Sequence, residues 1–295
     1  MHFHFDFVRR WKVWFACSGT LVVIAILAIT LRGLNYGIDF TGGTQMDLKF
    51  AHPVTVSAIT RTLARQNIGS SEVVFVGKGH SEALITTHTI SEGERSQALD
   101  ALRQHVAPFR EISTSRVSSV IGQQTERSAL LAVLLATVGI ILYIAVRFEF
   151  RFAVSAIIAL VHDVLITVGL IALIHISLSV YFVMAVLTIF GYSVNDTIII
   201  FDRIRENLQR QKRNEPLEDL VNRSLNQVLV RSINTSSTVL LALAAILIFG
   251  GASIKDFAST MLIGVFLGTY SSIFIASPVW LLWRRHRPGP QRRAA

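Results

Sequence analysis

Long apolar runs divide the charged residues of this chain into separate clusters. Of its 295 residues, 52% are hydrophobic. Six stretches hold few ionisable side chains, and they occupy residues 11–31, 128–146, 152–174, 180–201, 232–254 and 257–283. Each is close to or above the roughly 20 residues that cross a bilayer as a helix. The pattern predicts an α-helical polytopic membrane protein with six transmembrane helices, and it excludes a soluble globular domain.

Lysine and arginine gather in four segments that share one side of the membrane if all six runs cross it. These segments precede the first run, join the second to the third, join the fourth to the fifth, and follow the sixth. Because cytoplasmic loops are enriched in lysine and arginine, both termini are predicted to be cytoplasmic. This topology explains the formal net charge of +9 better than nucleic-acid binding does.

One long polar segment, residues 32–127, lies between the first two runs and is predicted to be extracytoplasmic. Alternating apolar residues and turn signals predict strands at 44–50, 72–76, 83–87 and 111–120, with helices at 55–67 and 91–106. Ser91 and Glu94 have the spacing of a capping box at the start of the second helix. The order β-α-β-β-α-β predicts an inserted α+β domain of the ferredoxin-like type.

The remaining segments complete the predicted organisation. Residues 1–31 form the cytoplasmic N-terminus and the first helix, 128–283 hold helices two to six, and 284–295 form a basic cytoplasmic tail. A charged cytoplasmic loop at about 203–231 contains no glycine. We expect it to extend the fourth helix and then form a separate amphipathic surface helix, with Pro216 at the junction.

Asp196 lies inside the otherwise apolar fourth run, where a carboxylate is costly. Membrane insertion scales put that cost at about 2.5–3.5 kcal/mol. The chain must therefore pair this group, protonate it or use it. Tyr192 lies one turn away on the same helical face, and Asn195 is adjacent.

Two other runs also carry polar residues at depth. The third run contains His162 and Asp163, and the fifth begins near Arg231, Asn234 and Thr235. Because the fourth and fifth helices are antiparallel, Asp196 and Arg231 could meet as a proton carrier and its counter-charge. Alternatively, such a pair is static and fixes helix register.

The other polar residues at depth have structural readings as well. His162 and Asp163 either join a proton relay or simply satisfy each other. Asn234 and Thr235 could serve as hydrogen-bonding contacts between helices.

Motifs of metal, nucleotide and protease chemistry are absent from the sequence. The chain has one cysteine and no HxxxH, HExxH or CxxC pattern, which argues against a metal site. It has no GxxxxGK[ST] loop, and it lacks the YD and GxGD motifs that an aspartyl protease built on Asp163 and Asp196 would carry. We therefore expect no enzyme activity and no cofactor, with protons as the coupling ion.

Four longer motifs carry a resemblance to a known family. They are GLNYGIDFTGGT at 33–44, ALVHDV at 159–164, GYSVNDT at 191–197 leading to FDRIREN at 201–207, and RSINTS at 231–236. In order and spacing they resemble the SecF members of the SecD/SecF protein-export family, within the resistance-nodulation-division superfamily. The resemblance maps the family's intramembrane acid onto Asp196 and its arginine onto Arg231. The domain-entry motif falls on Asp39, Gly42 and Gly43.

The resemblance also implies a function and partners. A protein of this family acts with SecD and the SecYEG channel in the bacterial cytoplasmic (inner) membrane. It assists export of the translocating preprotein with the proton-motive force, and SecD would supply the second six-helix half. Two alternatives remain at this point: a half-size proton-driven exporter of the same superfamily, and a structural membrane subunit without proton coupling.

Overall fold

The computed structural model describes residues 5–69, 71–75, 79–211 and 214–286. The chain divides into two compact units. The first, here called the helical unit, comprises residues 1–35, 132–177 and 181–295. The second unit comprises residues 36–131 together with 178–180.

The elements are numbered here in chain order. The helices are α1 (Trp11–Arg32), α2 (Ile38–Thr41), α3 (Val56–Arg65), α4 (Glu92–His105), α5 (Ser119–Arg147), α6 (Phe150–Ile174), α7 (Val180–Gln209), α8 (Leu217–Phe249), α9 (Ala252–Ser271) and α10 (Ser277–His286), with a π-helical turn at Ser272–Ala276. The strands are β1 (Gly43–Phe50), β2 (Glu72–Phe75), β3 (Glu82–Thr87) and β4 (Phe109–Val117).

Six helical segments of the described chain are long and apolar enough to cross a membrane. Five are the single helices α1, α5, α6, α7 and α8. The sixth, Ile254–Arg285, runs through α9, the π-helical turn and α10. The predicted polytopic fold is therefore confirmed.

The helical unit is built around α6, α7 and the sixth span. Its core contains Trp280, which stacks on Phe152 at a ring-centroid distance of 4.7 Å, and Phe201, which lies 4.8 Å from Phe152. Gly169 lets α6 approach α1 closely, because an added Cβ would lie 2.2 Å from the Cβ of Ala25. Small residues at such crossings allow the tight packing that holds membrane helices together.

The second unit has the predicted β-α-β-β-α-β order. Its strands form one antiparallel sheet in the order β2-β3-β1-β4. Side chains of the sheet and of α3 and α4 build its core, and the following are 0% exposed: Met46, Leu48, Ile59, Leu63, Ile85 and Leu102. The predicted capping box is present, since Ser91 Oγ accepts the Glu94 N–H at 3.2 Å and Glu94 accepts the Ser91 N–H at 2.7 Å. The ferredoxin-like prediction is confirmed.

Two predicted boundaries are wrong. The strand expected at 111–120 ends at Val117, and α5 begins at Ser119, well before the apolar run at 128. The Ser118 hydroxyl accepts the N–H of Ile121 at 3.3 Å and so supports the helix start. Hydropathy locates the apolar part of a helix but does not detect its polar first turns. The last residue of the strand expected at 72–76 lies outside the described residues, as do residues 77 and 78 of the turn that the sequence indicates after it.

The separate surface helix expected after Pro216 is also wrong. Pro216 directly precedes α8, as predicted, but α8 then continues without a break to Phe249. No glycine or proline interrupts residues 217–249, so nothing ends the helix there. The charged ends of α7 and α8 are joined where Asn207 donates to Ser224 Oγ and to Gln227, both at 2.8 Å.

Candidate functional site

The Asp196 carboxyl is almost completely buried in the helical unit, with 5% of the residue exposed. Its Oδ1 accepts a hydrogen bond from Ser232 Oγ on α8 at 2.6 Å. Its Oδ2 is buried and has no hydrogen-bond partner among the described residues. One neutral hydroxyl does not compensate the burial of a full charge. This carboxyl must therefore bind a proton or meet a cation or water from elsewhere.

The predicted ion pair between Asp196 and Arg231 is not formed within the described part of the chain. Arg231 is exposed, and the neighbouring Ser232 takes the place beside the acid. Consecutive helical residues point about 100° apart at 3.6 residues per turn, so only one of the two can face α7. The sequence spacing located the contact on α8 to within one residue.

A polar strip lies exposed on the surface of the helical unit next to this acid. Its members are Asn195 on α7 and Arg231, Asn234 and Thr235 on α8. The Thr235 hydroxyl donates to the backbone carbonyl of Arg231 on its own helix at 2.9 Å. Polar residues in membrane-spanning helices almost always face protein or water rather than lipid. The strip therefore marks a surface that meets either another protein chain or water.

Tyr192 joins the same region through a chain of hydroxyl groups. Its phenol donates to Ser236 Oγ at 3.2 Å, and Ser236 Oγ lies 2.6 Å from Thr269 Oγ1. These contacts link α7, α8 and α9 one turn away from Asp196. The structure thus places Asp196 and Tyr192 of α7 against Ser232 and Ser236 of α8.

Asp163 is the centre of a second buried cluster. It is 0% exposed, and its Oδ2 accepts hydrogen bonds from Ser193 and Ser271, both at 2.7 Å. Its Oδ1 lies 2.9 Å from His162 Nδ1, so these two neighbours do contact each other. The cluster joins α6, α7 and the end of α9. The π-helical turn follows Ser271 directly, and such turns are frequent at functional sites.

The sequence did not identify the serines of this second cluster. In membrane helices, serine and threonine hydroxyls commonly bond to their own backbone four residues earlier. Thr188 does so, donating to the Met184 carbonyl at 2.7 Å. Nothing in the sequence distinguishes it from Ser193. Helix packing decides which hydroxyl reaches Asp163.

The other predicted residues lie elsewhere. Asp39, Gly42 and Gly43 belong to the second compact unit, at α2 and the start of β1. Within the part of the chain that the structure describes, no group of three or more His, Cys, Asp or Glu side chains could hold a metal ion.

These features define a class of protein: a polytopic membrane protein with acids buried in its spans and one ferredoxin-like domain inserted after the first span. The family model of the protein export membrane protein SecD/SecF, C-terminal, matches residues 97–286, and the model of the SecD/SecF GG motif matches residues 27–54. The chain belongs to the SecD/SecF family of protein-export membrane proteins.

Similar proteins agree over nearly the whole chain. Protein translocase subunit SecF of Sebaldella termitidis is 40% identical over 95% of this chain and 92% of its own length. Its counterpart in Magnetococcus marinus is 39% identical over 99% of this chain and 95% of its own length.

Longer proteins named SecDF match as well. The crystal structure of SecDF from Thermus thermophilus has a TM-score of 0.87 and 35% identity over 96% of this chain. SecDF in its super-membrane-facing form has a TM-score of 0.71 and 36% identity over 97% of this chain. This chain spans 39% and 40% of the lengths of those two proteins.

Proposed function

We propose that this chain is the SecF-like subunit of the Sec translocase accessory complex. In this role it acts with SecD beside the SecYEG channel, in the bacterial cytoplasmic membrane, and assists preprotein export with the proton-motive force. Relatives named protein translocase subunit SecF support the assignment. The SecDF relatives support SecD as the partner, because this chain matches about two fifths of each of them.

The observation that carries the proposal is the incompletely satisfied carboxyl of Asp196. A proton that binds there removes a buried charge, and its release restores that charge. The two states therefore favour different surroundings, which is what couples proton movement to conformation. Each elementary charge that crosses 100 mV carries about 2.3 kcal/mol, enough to bias such an equilibrium.

Arg231 lies on the exposed strip, and we propose that it contributes to the proton step from there. We assign the strip to the SecD interface, where burial against the partner would remove it from lipid. Arg231 then supplies the positive charge of the interface near Asp196, and Asn195, Asn234 and Thr235 hydrogen-bond across it. Ser232 positions the Asp196 carboxyl.

Asp163 and His162 have a different role from Asp196 in this proposal. Asp163 accepts from two serines and contacts His162, whereas one hydroxyl holds Asp196. Movement of the Asp163 carboxyl would break three contacts. We therefore assign this pair to the fixed frame that holds α6, α7 and α9 together, and Asp196 to the proton-carrying role.

The test replaces Asp196 with asparagine in cells depleted of the native protein. The neutral amide keeps the shape but cannot carry a proton, so we predict at least a tenfold loss of proton-driven export in membrane vesicles. Membrane level and SecD association are expected to stay normal. Thr188→Val serves as a matched control on the same helix, because its hydroxyl donates to the Met184 carbonyl of α7 itself.

The alternatives predict other results. Wild-type export by Asp196→Asn would favour a structural subunit without proton coupling. Loss of SecD association would show that the acid is architectural. A half-size exporter would lose efflux of small molecules and leave preprotein export unchanged.

A further inference from the structure

The segment of residues 36–43, here called the entry segment, connects the first span to the ferredoxin-like domain. It contains the motif residues Asp39, Gly42 and Gly43, which have no role in the proposed proton step. The loop residues 178–180 belong to the same compact unit as the entry segment. Val180 is also the first residue of α7, the helix that carries Asp196.

Two backbone-directed contacts fix the entry segment to this loop. Asp39 Oδ2 accepts the backbone N–H of Val180 at 2.9 Å. Tyr36 and Leu178 form an isolated parallel β-bridge, in which the N–H of Gly37 donates to the Leu178 carbonyl at 2.8 Å. The first N–H groups of a helix have no partner within it, and a negative charge is favourable there. Asp39 thus caps α7 from 141 positions away in the sequence.

The two glycines hold the entry segment against other backbone. A Cβ on Gly42 would lie 2.8 Å from the Ser119 Cα at the start of α5, and Gly42 has a φ of +75° that favours glycine. A Cβ on Gly43 would lie 2.5 Å from the Thr87 carbonyl oxygen of β3. Gly122 repeats the arrangement from the other side, where a Cβ would lie 2.6 Å from the Phe40 carbonyl oxygen. These backbones meet without intervening side chains, so the joint has little room to deform.

We infer that Asp39 is a positioning residue through which α7 and the ferredoxin-like domain move together. Asp196 follows Val180 by about 24 Å of helix at roughly 1.5 Å per residue. A hydrogen-bonded helix transmits a shift or rotation along its length to its first residue. The Asp39 bond then passes the displacement to the entry segment, which continues directly into β1. The inference rests on the proposed function, since it connects the proton step at Asp196 to the domain that would handle the preprotein.

The first test removes the bond from the donor side. Val180→Pro deletes the N–H that Asp39 accepts, and proline is well tolerated at the first position of a helix. Val180→Ala keeps the N–H and is the matched control. We expect Val180→Pro to reduce proton-driven export at least fivefold at normal membrane level and normal SecD association, and Val180→Ala to export like the wild type.

The acceptor side gives an independent comparison. Asp39→Ala should show the same defect, whereas Asp39→Asn should retain most export because its amide oxygen still accepts the N–H. Asp100→Ala, at an exposed acid on α4, should leave export unchanged. Wild-type export by both Val180→Pro and Asp39→Ala would overturn the inference.

A third test measures whether a change at Asp196 reaches the entry segment. If Asp39 only stabilised the start of α7, removing its bond would not alter this response. Hydrogen exchange is measured on the full chain with SecD in lipid discs. We expect Asp196→Asn to change exchange both at the start of α7 and in the entry segment. In the Val180→Pro background, the change in the entry segment should disappear while the change in α7 persists. If it persists in both places, the inference is wrong.

The two proposals fail separately. Normal export by Asp196→Asn contradicts the proton step, whatever Asp39 does. A defect in Asp196→Asn with wild-type export in Val180→Pro and Asp39→Ala contradicts only the positioning role.

Discussion

Asp196 and Asp163 are both aspartates buried in membrane-spanning helices, but their surroundings differ. Asp163 receives hydrogen bonds from two serines and contacts His162. Asp196 receives one from Ser232, and its second oxygen has no partner among the described residues. The number of donors around each carboxyl is the basis on which we propose Asp163 as the fixed acid and Asp196 as the one that changes its protonation. The sequence shows His162 beside Asp163, but the serine donors that distinguish the two carboxyls become visible only in the folded structure.

A third buried acid, Asp47 on β1, leads us to predict how the stability of the ferredoxin-like domain depends on pH. Burial raises the pKa of Asp47, and the nearby Glu82 carboxylate raises it further. With a pKa higher in the folded domain than in the unfolded chain, Asp47 binds more protons when folded. Stability should then fall as pH rises from about 4, the ordinary aspartate value, through the raised folded value. We expect Asp47→Asn to unfold a few degrees above the wild type at neutral pH.

The measurement is thermal unfolding as a function of pH, and hydrogen exchange in β1 and β3 monitors the unfolding of this domain. Near pH 3 the two proteins should agree, because Asp47 is then protonated in both states. Asp100→Asn is the control at an exposed position. An equal stabilisation at every pH would show that the charge of Asp47 is not the cause.

At the scale of elements, the sequence predicts what periodicity and turn chemistry encode. The strand and helix order of the inserted domain, its capping box at Ser91 and the six spans follow from residue patterns. The start of α5 at Ser119 does not, because its first turns are polar. The contact of Asp196 with Ser232 instead of Arg231 depends on how α8 is rotated against α7. Rotation is set by packing along the whole interface, which one sequence does not specify.

Helix packing can be tested where α1 crosses α6. Gly169→Ala places a methyl group 2.2 Å from the Cβ of Ala25, so the two helices must separate. Overpacking of this kind costs about 1–3 kcal/mol. We expect a lower unfolding temperature in detergent and a lower membrane level.

Gly139→Ala on α5 is the matched control, because an added Cβ there meets nothing within 4 Å. It should be neutral or slightly stabilising, since alanine favours a helix more than glycine does. Equal behaviour of the two variants would contradict the close crossing.

At the scale of the whole molecule, this chain matches nearly the full length of proteins named SecF and about two fifths of proteins named SecDF. The exposed strip around Arg231 fits a surface completed by a partner. In the proposed cycle, proton exchange at Asp196 shifts α7, and the Asp39 bond passes that shift to the ferredoxin-like domain. Each step has its own variant, so a failure can be assigned to one link.

The most direct measurement follows the Asp196 carboxyl itself. Isotope-edited infrared difference spectra of the chain with SecD in lipid discs would be recorded across the working pH range and during export-driving turnover. A protonated-carboxyl band that disappears as the pH rises, reappears as it falls, and is absent from Asp196→Asn is the predicted result. A carboxyl that keeps one ionisation state under every condition would contradict proton coupling at this site.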